Sequence, residues 1–156
     1  PPGVQAELVE QEPERFFRPP YVGVKGWLGV YLDVPDLDWT EIAAIVRNAT
    51  VSPGIAHIFV RHTSCGLAIT ENADASVRHD LETLMRRWAP DGDQAYRHDL
   101  EGDDDMAAHA RSLLTGVALS VPFADGRLLL GTWQGIYLFE HRTQGHRREI
   151  VVALHG

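Results

Sequence analysis

The sequence predicts an α+β domain in which two or three helices pack on a mixed, mostly antiparallel sheet. Three observations carry this. Several short segments alternate apolar and polar residues, two or three longer ones repeat at helical spacing, and the last third of the chain is a series of β-type segments separated by turns. The regular strand and helix alternation of a doubly wound sheet is absent. At 156 residues the chain has the length of one ordinary domain.

Residues 1–20 carry Pro1, Pro2, Pro13, Pro19 and Pro20 among acidic residues, and proline lacks the amide that a helix or central strand uses. An N-terminal arm is expected there, with the α+β domain over residues 21–156. From Tyr21, YVGVKGWLGVYLDV is rich in β-branched and aromatic residues and broken by glycine, which predicts a strand pair or bent strand. Trp39, Ile42, Ala43, Ile45 and Val46 recur at helical spacing, so a helix is expected near residues 38–48, with Asp38 at its N-cap. Residues 55–62 alternate Ile55, His57, Phe59 and Arg61 with Ala56, Ile58, Val60 and His62, a strand pattern.

Leu67 to Thr70 reads as a second strand of this region. Asp74 is placed to cap a helix with Val77, Leu81, Leu84 and Trp88 on one face, ending before Pro90. The next helix, near residues 104–114, should turn Met106, Ala110, Leu113 and Leu114 inward and stop at Gly116. Strands are then expected over 117–121, 128–133, 136–141 and 149–155, the first two joined by an Asp125-Gly126 hairpin turn.

Composition excludes several classes of function. Twenty-two acidic against fourteen basic residues leave a net charge of −8, which repels a polyanion and argues against nucleic-acid partners. No apolar run reaches the roughly 18 to 20 residues of a membrane-spanning helix, and the N-terminus lacks a signal-peptide pattern. No membrane partner and a cytoplasmic location are expected. A single cysteine, Cys65, cannot form an intrachain disulfide and fits a reducing compartment.

Polar residues concentrate at three joints. In RHTSCGLAITENAD (61–74), His62, Thr63, Ser64, Glu71, Asn72 and Asp74 flank a short strand and offer donors and acceptors at a sheet edge. Hydrogen-bonded turns and a helix cap account for the same residues without function. In YRHDLEGDDDMAAH (96–109), Asp105 and His109 share a helical face, about 6 Å apart at Cβ. With His98 from the preceding loop they form a plausible ligand set for a divalent metal, since imidazole and carboxylate suit zinc and similar ions. The acidic run also suits a helix N-terminus through the macrodipole. In GRLLLGTWQGIYLFEHR (126–142), Gly131 and Gly135 interrupt apolar segments and mark a bulge or close approach, with Thr132, Trp133 and Gln134 between them. There is no phosphate-binding P-loop, dinucleotide fingerprint or nucleophile elbow. Cys65 reads as a buried or turn residue rather than a nucleophile, and His57, His79, His146 and His155 as surface or strand-end residues.

Taken in order, HTSCGLAITENAD, YRHDLEGDDDMAAH and PFADGRLLLGTWQGIYLFEHR resemble the YjbQ family, often called secondary thiamine-phosphate synthases. The resemblance covers residues 24–156, and the GTWQ segment after the DGRL turn is its most specific part. It implies a compact α+β subunit assembled as a homotrimer, with a His- and carboxylate-lined pocket near a subunit boundary. The implied cofactor is a divalent metal, zinc or magnesium, and the implied ligand a small phosphorylated molecule.

Carried onto this sequence, the resemblance implies catalytic roles for His62, Ser64, Glu71, Asn72, Asp74 and Gln134. It implies substrate contacts by Thr63, Thr132, Trp133, Arg142 and Arg147, and metal ligation by His98, His109, Asp104 and Asp105. The implied reaction joins hydroxymethylpyrimidine diphosphate to thiazole phosphate and releases diphosphate, with a cation neutralising the leaving group. His98 and His109 suit zinc better than magnesium. Two rivals are another metal-assisted reaction on a small phosphorylated substrate, such as hydrolysis, and a non-catalytic trimer that binds a metal or anion. The chain departs from the family pattern at Ala68, Ala118, Asp103, Ala107 and His141. The alanines at 68 and 118 remove hydroxyls, and none of the five changes removes a candidate ligand.

Overall fold

The computed structural model describes residues 10–11, 16–17, 28–32, 39–49 and 51–156. In chain order the elements are β1 (Phe16–Phe17), β2 (Leu28–Leu32), α1 (Trp39–Arg47), β3 (Gly54–Val60), β4 (Cys65–Glu71), α2 (Ala75–Trp88), α3 (Asp105–Thr115), β5 (Ala118–Ala124), β6 (Arg127–Leu128), β7 (Gln134–Glu140) and β8 (Arg148–His155). They confirm the α+β class. The described elements group into two compact units, one of β1, β2, α1, β3, β5, β6 and β8, the other of β4, α2, α3 and β7.

The first unit is a six-stranded sheet in the order β1-β2-β8-β3-β5-β6. Every described pair is antiparallel, so the parallel component of the expected mixed sheet is not found among the described residues. β3 lies between β8 and β5 and shows the expected alternation, with Ala56, Ile58 and Val60 fully buried and Ile55, His57 and Phe59 exposed. Val46 of α1 packs with Ala56 and Phe123, surrounded by Ala49, Val51, Leu128 and Leu154.

The Asp125-Gly126 turn is found where the sequence put it. Both residues have positive φ, 49° and 71°, as a two-residue hairpin turn requires. The strand expected over 128–133 is shorter than read. Pairing with β5 ends at Leu128, followed by one further bond from Leu129 N to the Pro122 carbonyl. The residues beyond it form a separate turn, described below. At the N-terminus, Phe16–Phe17 pair with Gly29 and Val30, so these two residues of the expected arm are an edge strand of the sheet. Residues 10 and 11 are helical, and the rest of the arm lies outside the described residues, as do 21–27 and 33–38 with the Asp38 cap.

The second unit is built on the β4-β7 ribbon, paired from Cys65↔Glu140 to Glu71↔Gln134, with α2 and α3. α2 starts at the predicted cap, where the Asp74 carboxylate accepts from Ser76 N at 2.8 Å, and ends before Pro90. Its expected apolar face is half-buried at Val77, Leu81 and Leu84, while Trp88 is 58% exposed and no residue of the helix is fully buried. α3 turns a different face inward. Asp105, Ala107, Ala108, Arg111 and Ser112 are buried, while Leu113 is 85% exposed and Leu114 is exposed.

The reason is that the inward face of α3 carries groups with polar partners. Ser112 Oγ donates to the Cys65 carbonyl at 2.9 Å, which joins the helix to β4. Arg111 donates from Nε and Nη2 to the Ala89 carbonyl and from Nη2 to Asp91 Oδ1 at 2.7 Å, closing the end of α2. Small Ala107 and Ala108 let the helix approach the ribbon closely. An apolar count along the helix weights leucines and overlooks such partners.

Candidate functional site

The sequence-predicted residues divide between the two ends of the β4-β7 ribbon. Six residue steps separate Cys65 from Glu71, about 20 Å at strand rise. His62, Thr63 and Ser64 precede β4, at the end where β7 runs into His141 and Arg142. Glu71 and Asn72 stand at the opposite end with Trp133 and Gln134. Within one chain the expected single pocket is therefore two places. A strand of seven residues separates His62, Thr63 and Ser64 from Glu71 and Asn72, which the family resemblance implied share one pocket.

At the first end, His98, Asp105 and His109 come together, with one ligand-type atom from each lying within 4.8 Å of the others. Asp105 is the first residue of α3 and His109 stands one turn later, which puts both on the same side; His98 arrives from the loop before the helix. The His98 and His109 ring centroids are 5.3 Å apart. His98 Nε2 lies 2.9 Å from Asp105 Oδ2, and His109 Nε2 lies 3.5 Å from Asp105 Oδ1. The carboxylate is 3% exposed.

The outer contacts orient these groups. His109 Nδ1 is 2.9 Å from the Thr63 carbonyl oxygen, which can only accept, so Nδ1 carries a proton and, in the neutral ring, Nε2 presents a lone pair toward Asp105. A lone pair facing a buried carboxylate is unfavourable unless a proton or cation lies between them. Asp105 Oδ1 accepts from Arg142 Nη1 at 2.8 Å, which supplies the charge that burial requires. Asp105 Oδ2 is buried and, despite its nearness to His98, makes no hydrogen bond of acceptable geometry among the described residues.

Asp104 has a different position. Its Oδ2 accepts from Thr143 N at 2.7 Å and Thr143 Oγ1 at 2.9 Å, and its Oδ1 pairs with Arg142 Nη2 at 3.1 Å. The Thr143 amide first, and then the Thr143 hydroxyl and Arg142, hold its carboxyl down at about 2 against an opposing effect of burial. Asp104 thus ties the 142–143 loop to the start of α3. Arg142, assigned by resemblance to substrate, also donates to the Glu101 carbonyl, so both Nη groups are turned to the protein's own oxygens. No clue to this clamp, or to Thr143, is present at the sequence level, because the partners are far apart along the chain.

Beside the cluster, His62 Nδ1 accepts from Ser64 N at 3.2 Å and lies 3.1 Å from Ser64 Oγ. Ser64 is buried and its carbonyl accepts from His141 N. Cys65 is buried, as expected of a structural cysteine. Asp74, assigned a catalytic role by resemblance, serves as the α2 cap; the Ser76 amide lowers its pKa. Arg147 is exposed and belongs to the sheet unit.

At the other end, Gly131 to Gln134 form a tight turn closed by Gln134 N to the Gly131 carbonyl at 3.0 Å and by Gly131 N to Gln134 Oε1 at 2.8 Å. Thr132 and Trp133 at its tip are exposed. Asn72 N donates to the Trp133 carbonyl at 2.8 Å, and Tyr137 Oη donates to Asn72 Oδ1 at 2.6 Å and to the Glu71 carbonyl. Gly135 permits this: a Cβ there would lie 2.8 Å from Asn72 Cβ, the close approach that the glycine signalled. An open cleft of about 520 Å³ is lined by Thr70, Glu71, Trp133 and Gln134.

Comparison with known proteins gives a consistent picture. The family model described as UPF0047 protein YjbQ-like matches residues 38–156. A UPF0047 protein of Synechocystis is 46% identical over 117 residues, covering 75% of this chain and 80% of its own. The UPF0047 protein YjbQ of Escherichia coli O157:H7 is 45% identical over 106 residues, 68% of this chain and 76% of that one. Among solved structures, a YjbQ/UPF0047 family protein of Clostridium acetobutylicum has a TM-score of 0.71 at 31% identity, covering 81% of this chain and 98% of its own. A conserved hypothetical protein of Thermus thermophilus has a TM-score of 0.68 at 37% identity, covering 80% of this chain and 98% of its own. None of the helices in the described residues is long and apolar enough to cross a membrane.

Proposed function

For a chain that belongs to the UPF0047 YjbQ-like family, we propose that His98, Asp105 and His109 hold a divalent cation of zinc type, serving a metal-assisted reaction on a small anionic substrate. The observation that carries this reading is the locked His109 tautomer. A carbonyl on Nδ1 and a lone pair on Nε2 directed at a buried carboxylate form the second-sphere arrangement of metal-binding histidines. The donor set fits: two imidazoles and a carboxylate are the ligand number and type of catalytic zinc sites, which leave a position open. A bound cation of this kind supplies Lewis-acid polarisation of a substrate oxygen.

The chain's own residues prepare the site. The Thr63 carbonyl fixes the His109 ring, Arg142 pairs with Asp105 and orients it, and Asp104 with Thr143 holds Arg142 in place. The His62 ring accepts the Ser64 amide on Nδ1, so its neutral form carries the proton on Nε2 and acts as a donor. The thiamine-phosphate-forming reaction implied by the family resemblance is one instance of such chemistry. Hydrolysis is the reading favoured by two imidazole ligands, since magnesium chemistry at a leaving diphosphate prefers oxygen donors.

Metal analysis of protein purified without a histidine tag tests the centre. About one zinc per chain is expected after equilibration with zinc and gel filtration, falling to background in the His98→Ala/His109→Ala variant. Equal metal content in both proteins overturns the assignment. The homotrimer belongs to the same reading, supported by the large apolar side chains Trp88, Leu100, Leu113 and Leu114 left exposed on the second unit. Light scattering is expected to give a mass three times the 17.4 kDa of one chain; a monomer mass at micromolar concentration refutes it.

A further inference from the structure

The cleft at the far end of the ribbon contains a second set of groups that the metal cluster does not use. Trp133 is 66% exposed, although a tryptophan ordinarily buries most of its surface. It is not exposed through looseness: its turn is closed by two hydrogen bonds across Gly131 and Gln134 and tied to β4 by a third, from Asn72 N to the Trp133 carbonyl. Glu71 lines the same cleft. Tyr137 fixes its backbone by donating to its carbonyl, and its carboxylate has no hydrogen-bond or ion-pair partner among the described residues. Thr70 and Gln134 also line it, and none of the described lining residues is basic.

An indole and a carboxylate without a charge partner among the described residues, lining one cleft, select by charge. The indole face carries negative potential and attracts cations, and a carboxylate beside it adds a charge partner while repelling phosphate and carboxylate ligands. We propose that this cleft binds a planar organic cation, with Trp133 providing the stacking surface and Glu71 the counter-charge. The volume of about 520 Å³ lies within the usual range for small-molecule sites. The proposal stands on residues of one chain and does not rest on the metal centre.

The test is calorimetric titration of the full chain, stripped with chelator so that metal binding plays no part. The probe is 1-methylnicotinamide, a planar cation, compared with its neutral counterpart nicotinamide and the anion nicotinate. Saturable binding of the cation is expected, with the neutral ring about tenfold weaker and the anion not detected. Trp133→Leu and Glu71→Gln should each weaken the cation about three- to tenfold while leaving the thermal midpoint unchanged, because both side chains are exposed. Three results overturn the proposal: no saturable binding of the cation, equal affinity for the neutral or anionic ring, or unchanged cation affinity in either variant. Loss of metal binding in the His98→Ala/His109→Ala variant with cation binding intact would separate the two sites.

Discussion

Arg142→Ala is expected to lower the stability of the chain by about 3–5 kcal/mol, the cost of leaving a buried charge without its partner. Asp105 is 3% exposed and takes a 2.8 Å bond from Arg142, itself 15% exposed. Removing the guanidinium leaves two carboxylates at the start of α3, Asp104 and Asp105, facing each other's field with no cation between them. Urea unfolding monitored by circular dichroism measures the loss. If the buried charge is the cause, Arg142→Ala/Asp105→Asn should recover a substantial part of it, and an equally unstable double variant would place the cause in lost side-chain packing instead. Zinc should also stabilise Arg142→Ala more than the wild type, since a cation at His98, Asp105 and His109 replaces the missing charge.

The same clamp predicts an acid-sensitive contribution. The pKa of Asp104 is lowered in the folded chain from 3.8 to about 2, first by the Thr143 amide. A carboxylate with a depressed folded pKa stabilises fully above its unfolded value, and that contribution is lost as pH falls through the folded one. Its window is therefore about pH 4 down to 2. Asp104→Asn should lose less stability than the wild type across that interval, and identical slopes would show that the Thr143 contacts do not act through charge.

Gly66→Ala is expected to cost about 3 kcal/mol or more, above the usual range for one added methyl in a packed interior. A Cβ there would overlap Thr115 Oγ1 and lie 2.7 Å from the Gly116 carbonyl oxygen and 2.8 Å from Thr115 Cβ. A rotamer change can move the hydroxyl, but the other two atoms belong to or adjoin the backbone at the end of α3. That backbone is itself held by Leu67 N bonding to the Gly116 carbonyl. Thr115→Ala should consequently rescue only part of the loss, whereas full rescue would mean that the hydroxyl alone is the obstacle. Because this contact joins α3 to β4, Gly66→Ala should also weaken zinc binding: His109 on the helix is oriented by Thr63 just before the strand.

Most strands and the helix limits were legible because they rest on local physics. The alternation of Ile55 to Val60, the Asp74 cap, the stop before Pro90 and the Asp125-Gly126 turn are each settled by neighbouring residues. The inward face of α3 was misread because burial depends on what another element presents. Leu113 faces outward while Arg111, a charged residue, is interior with the Ala89 carbonyl and Asp91 as partners. The strand expected through Leu129 to Trp133 failed on a comparable point, since Gln134 folds back on Gly131 and closes a turn.

For the candidate sites, the residue types and the His98, Asp105 and His109 set were recognisable, and the division of the other candidates was not. Sequence alone determined that the chain carries an imidazole and carboxylate pair one helical turn apart and a glycine-flanked Thr-Trp-Gln segment, because helix period and glycine geometry are local properties. Only the tertiary structure decided that Asp104 is committed to Thr143 and Arg142 and stands apart from the expected set of His98, Asp105 and His109. It alone also decided that Glu71 and Trp133 share a cleft at the opposite end of the ribbon. Those assignments follow from the register of β4 against β7 and from where α3 meets the ribbon, which are set by contacts between residues distant along the chain.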